Sequence, residues 1–536
     1  MMKKTFALLL MAVMLLSFCL PSMAEGDPSL IGGELNIGMV GDPYSLNAWT
    51  SNDLNAALLS NILYPSLLVF DENAKKVPYV LESYESSEDL KTWTAKIHGG
   101  LSWHDGVKFT AEDLAFTAIY CATHDVNFGS DYYANVEKAE ALDELTVQYT
   151  LKEPQVDFMT NIGFWVDVMP KHLLEGVEDF ANAQIPTIGF GPFKLDEFSK
   201  GEYYKFSRVP NWPLANGGLG AYLEGFTIRI YTDPNSLMLA IKSNEVDCGS
   251  NALNVAIQQQ LAAEPDNYGI VKVNSLGYGY FGFNYVNNPL LADPVLRKAI
   301  AHTVDRDALV NIAIQGGGVS MNTPVSPVYT NMVEGAATFP AFDIEAAKAL
   351  LEAAGYVDSN NDGVREKDGN KLAFTLTCRN NTNNIDAISN IFKANCAEAG
   401  IEITLSIVEP ATYTDLVVKS KKFDINYIEW GVVDDVDTSL DAIYYSGATL
   451  NFMQYKNDAM DAILLGVKVE PNFEKRREMI LEFQKLFVEE LPTINVFVRT
   501  NAYGYSKQNF EGWGATPGLY GVCDVKNLVQ VHLIKK

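Results

Sequence analysis

The sequence predicts an α/β protein of more than one lobe, and three observations carry that expectation. The chain has 536 residues, of which 48% are apolar and 20% charged, the composition of folded globular proteins rather than disordered, collagenous or coiled-coil ones. That length allows about two to four domains of ordinary size. Beyond roughly residue 285, helical periodicity alternates with single strands over short connections, which favours a parallel sheet covered by helices. No internal repeat, low-complexity tract or Pro/Ser/Gly-rich linker interrupts the chain. Its lobes are therefore expected to be joined by strands that cross between them.

Residues 1–24 carry Lys3 and Lys4, an apolar run over 6–20 and then Pro21-Ser22-Met23-Ala24, the three zones of a secretory signal peptide. Cleavage is expected after Ala24, because Ser22 and Ala24 supply the small side chains a signal peptidase needs. Leu16-Ser17-Phe18-Cys19 also resembles a lipoprotein box, which would place a lipid anchor on Cys19, with Phe18 departing from the small residue of that pattern. No later stretch is long and apolar enough to predict a membrane span.

Residues 33–40 alternate as a strand does, and Gly41-Asp42-Pro43 ends the pattern. Leu54, Ala57, Leu58 and Ile62 then recur near helical spacing, with Ser51, Asn52 and Asp53 offering caps and Tyr64-Pro65 the stop. Strands are expected over 93–97, 146–151, 203–208 and 226–231, and helices over 111–121 and 234–243. Thr110, with Asp113 at the third helical position, reads as the cap of the first of these helices. Further helices are expected over 294–304, 306–315 and 343–354; in the last, Asp343 caps while Ala346, Leu350 and Leu351 share a face. A strand over 372–377, a helix over 386–399, a strand over 401–408, a helix over 411–419 and a strand over 424–429 complete a β-α-β-α-β run. A late helix over 474–489 leads through Pro492 into an apolar strand over 493–498, and turn-rich sequence surrounds Gly512-Trp513-Gly514.

With 40 basic against 67 acidic residues the formal charge is −27, which repels phosphate backbones and anionic lipid, so nucleic acid is not an expected partner. The six histidines are scattered, and no HExxH, GxSxG or Walker loop occurs; Gly316-Gly317-Gly318 lacks the lysine of a phosphate loop. No catalytic residue, cofactor or metal is expected. A secreted hydrolase built from distant carboxylates is the alternative of another class, though no motif sets an acid beside a base or nucleophile. Asp358, Asn360, Asp362 and Gly363 look like the start of a calcium loop, but Gly369 stands where the closing glutamate belongs, so a solvated turn is expected. Cys121, Cys248, Cys378, Cys396 and Cys523 are odd in number, lack CxxC spacing and read as buried apolar residues.

Aromatic residues reach 11%, and several sit beside Gly, Asn or Asp instead of in apolar stripes. Tyr44, Asn47 and Trp49 fall in 42–49, Tyr278 and Tyr280 in 277–284, and Trp430 heads the acidic stretch 430–437. Aromatic faces with a few polar groups on loops suit a ligand cleft.

Residues 81–97 (LESYESSEDLKTWTAKI) and 103–113 (WHDGVKFTAED) resemble the signature region of the extracytoplasmic solute-binding proteins, family 5, the oligopeptide and dipeptide receptors of ABC importers. Similar matches are Gly191-Pro192-Phe193-Lys194-Leu195, Leu296-Arg297-Lys298-Ala299-Ile300, Asp305-Arg306, 349–356 (ALLEAAGY) and Leu491-Pro492. Asn244-Glu245-Val246-Asp247 is another, with Asn244 departing from the family's glycine. The resemblance runs through nearly the whole chain after the leader. It implies a two-lobed periplasmic-binding-protein fold, type II or cluster C-like, in which the chain crosses between lobes twice and ligand is enclosed when they close. The crossings would fall near 284–286 and 493–496. Lobe one would comprise 25–284 and 493–536, with an extra subdomain near 71–184, and lobe two 285–492. The implied protein is an extracytoplasmic monomer, not an enzyme, that captures peptides and delivers them to a membrane permease. A nickel chelate, an oligosaccharide or another small solute is the alternative ligand.

In peptide-binding members an aspartate shortly after a Trp-Gly-like pair receives the peptide's N-terminal ammonium. Here Val433 occupies the usual spacing, and a one-residue insertion would make Asp434 the anchor, with Asp435 next and Asp437 capping a helix from Thr438. The expected ligand-binding residues are therefore Asp434, Asp435, Trp430, Tyr44, Asn47, Trp49, Ser250, Asn251, Tyr278 and Tyr280.

Overall fold

The structure, a computed structural model, describes residues 26–51, 53–177, 187–518 and 520–535. The expected signal peptide, its cleavage after Ala24, the Cys19 anchor and the end of the 71–184 stretch lie outside these residues.

Apolar alternation builds the first sheet. Leu35, Ile37 and Met39 of Glu34–Val40 are fully buried, and this strand pairs in parallel with Gly225–Tyr231 and with Cys248–Gly249. Tyr203–Arg208 and Phe193–Ser199 extend the edge antiparallel. The second sheet grows from Ala373–Arg379, flanked in parallel by Glu402–Val408 and Ile425–Glu429, as the β-α-β-α-β pattern requires. Gly279–Phe283 joins it antiparallel to Ile425–Glu429. In 277–284, expected to present its aromatics to a ligand from a loop, the strand portion is instead wholly buried, because Tyr280, Phe281 and Phe283 pack in the second lobe's core.

One strand, Thr493–Ser506, belongs to both sheets. Up to Arg499 it pairs with Gly279–Phe283 and Gly318–Ser320, and from Thr500 onward it pairs with Tyr268–Asn274. Through it the two sheets join into one continuous twelve-stranded sheet. The other passage between lobes is 275–278, between Asn274 and Gly279. The crossings thus lie at 275–278 and 499–500, not near 284–286 and 493–496. Strand continues directly on both sides of each, so neither leaves the turn or linker composition that would mark a boundary. Gly277 is required in the first crossing: a Cβ there would come within 1.9 Å of the Trp430 carbonyl oxygen.

A separate antiparallel sheet of Leu81–Ser86, Thr92–Ile97, Thr146–Leu151 and Val136–Ala141 lies in the first lobe. The helix Ala111–Thr123 packs on it and starts with a full capping box: the Thr110 side chain accepts from the Glu112 N–H, and Asp113 Oδ2 accepts from the Thr110 N–H at 2.9 Å. Trp103 is buried against Phe109 and Phe190, so the 103–113 motif is scaffold. Each lobe has its own apolar core, but the hairpin of Leu68–Phe70 and Lys76–Pro78 sends Phe70 and Ala74 into the core of the second lobe. Two expected helices, 306–315 and 411–419, begin as Arg306–Ala308 and Pro410–Tyr413 and widen into π-helical turns.

Candidate functional site

Two cavities lie side by side between the lobes and share Leu54 and Gly431. The one beside the crossings has a volume of about 360 Å³ and is lined by Asn55, Ser250, Asn251, Tyr278, Trp430 and Asn501, among others. Its neighbour, about 330 Å³, has aromatic walls from Trp49, Phe128, Tyr132, Phe164, Trp165 and Tyr520, with Asp167 among them. Both volumes are those of ligand sites, which combine apolar walls with a few fixed polar groups.

The polar groups are fixed by the ends of elements. Asp53 caps the helix Leu54–Leu63 through the N–H groups of Asn55 and Ala56, and Asn55 Nδ2 donates to the carbonyls of Val40 and Gly41, both at 2.9 Å. Asn251 Oδ1 accepts from the Val40 N–H at 2.7 Å, so Asn251 and Asn55 hold the helix start beside the strand end. Tyr278 shares a 3.0 Å hydrogen bond with the Tyr444 hydroxyl. The Trp430 N–H donates to the Tyr278 carbonyl at 3.0 Å, and Ser275 Oγ donates to the Gly431 carbonyl at 3.1 Å. The loop after Ile425–Glu429 therefore runs along the first crossing. At the second crossing Arg499 forms a two-pronged pair with Glu429, at 2.6 and 2.8 Å, so this cavity's charges cancel.

Beyond Trp430 the loop turns at Asp435, whose φ is +44°, and delivers two carboxylates to the first lobe. Lys76 Nζ lies 2.5 Å from Asp434 Oδ2 and 2.7 Å from Asp435 Oδ2, and its side chain is 1% exposed. Trp165 Nε1 donates to Asp434 Oδ2 at 3.0 Å. Burial opposes the Lys76 charge, but Asp435 and Asp434 outweigh it and hold its pKa above the ordinary lysine range. One ammonium cannot compensate two buried carboxylates, and burial pushes Asp435 up to about 6. A second contact between the lobes joins Lys468 to Asp157 at 3.2 Å, next to a bond from the Val156 N–H to the Lys468 carbonyl. The cavities are thus bounded by the crossings on one side and by these ion pairs on the other.

Of the expected ligand-binding residues, Ser250, Asn251, Tyr278 and Trp430 line the first cavity and Trp49 the second. Tyr44 is 82% exposed and lines neither. Asn47 supports the loop, its Oδ1 accepting from the Trp49 N–H at 3.1 Å. Tyr280 is fully buried in the second lobe's core. Asp434 and Asp435 face Lys76. Asp437 caps no helix: it pairs with Arg476 at 3.0 Å, and the next helical turn is Asp441–Tyr444. Asp358 and Asn360 accept from backbone N–H groups of their own turn, while Asp362 pairs with Lys371. Among the described residues no group of three or more His, Cys, Asp or Glu is placed to hold a metal, and no helix is long and apolar enough to cross a membrane. Cys121, Cys248, Cys378, Cys396 and Cys523 are buried free thiols.

Sequence reasoning missed Lys76, Trp165, Asp167 and Arg499. Asp167 did leave a signal, a single acid in the apolar run Phe164-Trp165-Val166-Asp167-Val168-Met169. Lys76, in a short hairpin, left none.

Residues 75–451 match the family described as bacterial extracellular solute-binding proteins, family 5 Middle. The chain is 27% identical over 516 residues to the oligopeptide-binding protein AppA of Bacillus subtilis, covering 92% of this chain and 91% of that protein. The solved structure of AppA from Bacillus subtilis in complex with a nonapeptide matches with a TM-score of 0.72 at 25% identity, over 94% of this chain and 99% of that one. The ABC transporter substrate-binding protein CtaP from Listeria monocytogenes matches with a TM-score of 0.81 at 23% identity, over 94% and 100%. The chain therefore belongs to the bacterial extracellular solute-binding proteins, family 5, and has their two-lobed α/β fold.

Proposed function

We propose that this protein captures peptides between its lobes, outside the cytoplasm, and as a monomer presents them to the permease of an ABC importer without chemistry of its own. The observation that carries this reading is the pair of adjoining cavities enclosed between two strand crossings and an inter-lobe ion pair. A ligand held there touches both lobes, so it binds the closed arrangement better than the open one and shifts the equilibrium toward closure. The similarity to an oligopeptide-binding protein supports the ligand class. Trp49, Ser250, Asn251, Tyr278 and Trp430 are the proposed contacts. Asp434 and Asp435, expected to meet a peptide's ammonium, meet that of Lys76, and we assign them to the ligand's enclosure.

Calorimetry with pooled peptides of about two to six residues tests the reading, since a ligand of the folded state stabilises it by RT ln(1 + [L]/Kd). A rise in Tm without consumption of peptide is expected, and small-angle scattering should show a smaller radius of gyration with peptide than without. A sugar or a nickel–histidine chelate that shifts the transition, when no peptide pool does, would replace the ligand class.

A further inference from the structure

We propose that the cavity around Asp167 is a subsite for a cationic group of the ligand, an ammonium or a guanidinium, with Asp167 as its counter-ion and aromatic rings as its walls. The inference rests on the peptide reading above and names the chemistry that this part of the cleft selects.

It begins in the sequence. In the run 164–169, Val166 and Val168 are buried in the first lobe's core, whereas Trp165 and Asp167 line the cavity. Trp165 ends the helix Phe158–Trp165, and the chain leaving it turns Asp167 toward the cavity while Val166 and Val168 anchor the backbone in the core. The carboxylate is positioned on both flanks. Ser60, from the helix Leu54–Leu63, donates its hydroxyl to Asp167 Oδ2, and Trp49 Nε1 donates to the Asp167 carbonyl at 3.1 Å.

What Asp167 lacks is a cation. Among the described residues lining this cavity it alone carries a formal charge, and no ion pair of the described residues involves it. Burial pushes its pKa up to about 7, offset in part by the Ser60 hydroxyl. The other titratable groups that feel it, Tyr64 and Tyr520, are raised by burial and then by Asp167 itself, and so stay neutral. Even a half-buried carboxylate is costly to fold around without a counter-charge. In a ligand-sized cavity, that is the signature of a group awaiting its partner.

The walls suit the same partner. Trp49, Phe128, Tyr132, Phe164, Trp165 and Tyr520 present ring faces or edges to the space, and aromatic faces attract ammonium and guanidinium groups. Two of these rings already meet a cation, with Lys76 Nζ 5.1 Å from the Phe164 ring centre and 6.0 Å from that of Trp165. The neighbouring cavity, where Arg499 and Glu429 neutralise each other, offers no such attraction. A ligand with one cationic end is therefore oriented across the two cavities with that end toward Asp167.

The test is isothermal titration with four matched peptide pools: lysine- or arginine-containing, and the same sequences with norleucine or citrulline, each with free and with acetylated N-termini. At pH 7 at least one cationic member should bind about tenfold or more tighter than its neutral match, the effect of a hydrogen bond to a charged group. A loss on side-chain neutralisation identifies a lysine or arginine side chain, and a loss on acetylation identifies the α-ammonium; either upholds the subsite. Asp167→Asn, which keeps the volume, should abolish the difference between cationic and neutral members. Binding of the cationic member to the unmodified protein should also release protons, read as an enthalpy that varies with the buffer's ionisation heat, and this readout needs no variant. Equal binding of all four pools, or a preference that survives Asp167→Asn, overturns the subsite and leaves the peptide reading standing. If no pool binds, both fall together.

Discussion

Replacing Lys76 with methionine should separate the cost of closing the lobes from the cost of folding them. Methionine keeps most of the apolar stem that lies among Phe70, Phe164 and Trp165 and removes the charge. Lys76 is 1% exposed, with Asp434 and Asp435 at 13% and 14%, so the variant buries two carboxylates without a counter-ion. Breaking a buried pair from one side costs about 3–5 kcal/mol. The partners sit on different lobes, so the cost falls on the closed arrangement; opening returns both carboxylates to water. Peptide affinity should therefore drop by about two to three and a half orders of magnitude, while the Tm without ligand changes little. Lowering the pH from 8 to 5 should restore part of the loss, because one carboxylate can then take a proton and donate it to the other. Asp434→Asn leaves Lys76 one carboxylate, and its loss should be nearer ~1.5–3 kcal/mol. The assays are isothermal titration with the peptide pools and thermal unfolding of the free protein. A variant that binds peptides with unchanged affinity, or one whose free form loses stability while affinity persists, refutes the reasoning.

Burial raises Asp167 to about 7 and Asp524 to about 6, so the folded protein holds protons that the unfolded chain releases above about pH 4. This contribution is lost as pH rises through the folded values; Tm in thermal melts should be higher at pH 5 than at pH 8, and the reverse order would count against these environments. Gly277→Ala, whose Cβ would meet the Trp430 carbonyl oxygen at 1.9 Å, should destabilise by ~1–3 kcal/mol in urea unfolding, and an unchanged midpoint would mean that the crossing has slack. Thr110→Ala removes the cap of Ala111–Thr123 and should cost ~1 kcal/mol with peptide affinity intact; a loss of affinity would place the 103–113 motif in the site.

Elements whose signal is local were legible in the sequence. Thr146–Leu151 and Tyr203–Arg208 alternate apolar and polar side chains, and Pro234–Lys242 opens with Asp233 followed by proline. Each pattern is written in consecutive residues. The strand Thr493–Ser506 was read only to 498, because its second half is a strand by virtue of Tyr268–Asn274, far away in the chain. The cleft was legible in part for the same reason. Trp49, Tyr278 and Trp430 stood out as aromatics among turn residues and do line cavities, but identical local chemistry at Tyr44 and Tyr280 leads to solvent and to the core. The acidic loop was visible and its partner was not: Lys76 and Asp435 are separated by 359 positions, and nothing near Lys76 records that an acid will meet it.

The place of Thr493–Ser506 in the sheet also bears on when the protein can fold. It lies between Gly279–Phe283 and Cys248–Gly249, at the middle of the sheet, yet it is made only after the long stretch of chain that follows them. Until it arrives the first sheet lacks the partner of Tyr268–Asn274 and the second lacks the partner of Gly279–Phe283 and Gly318–Ser320. At about 5–20 residues per second, synthesis of the chain between Phe283 and Thr493 takes tens of seconds, during which neither lobe can complete its hydrogen-bond ladder. Both lobes therefore depend on one strand, made after most of their other strands, for the pairing at the middle of the sheet.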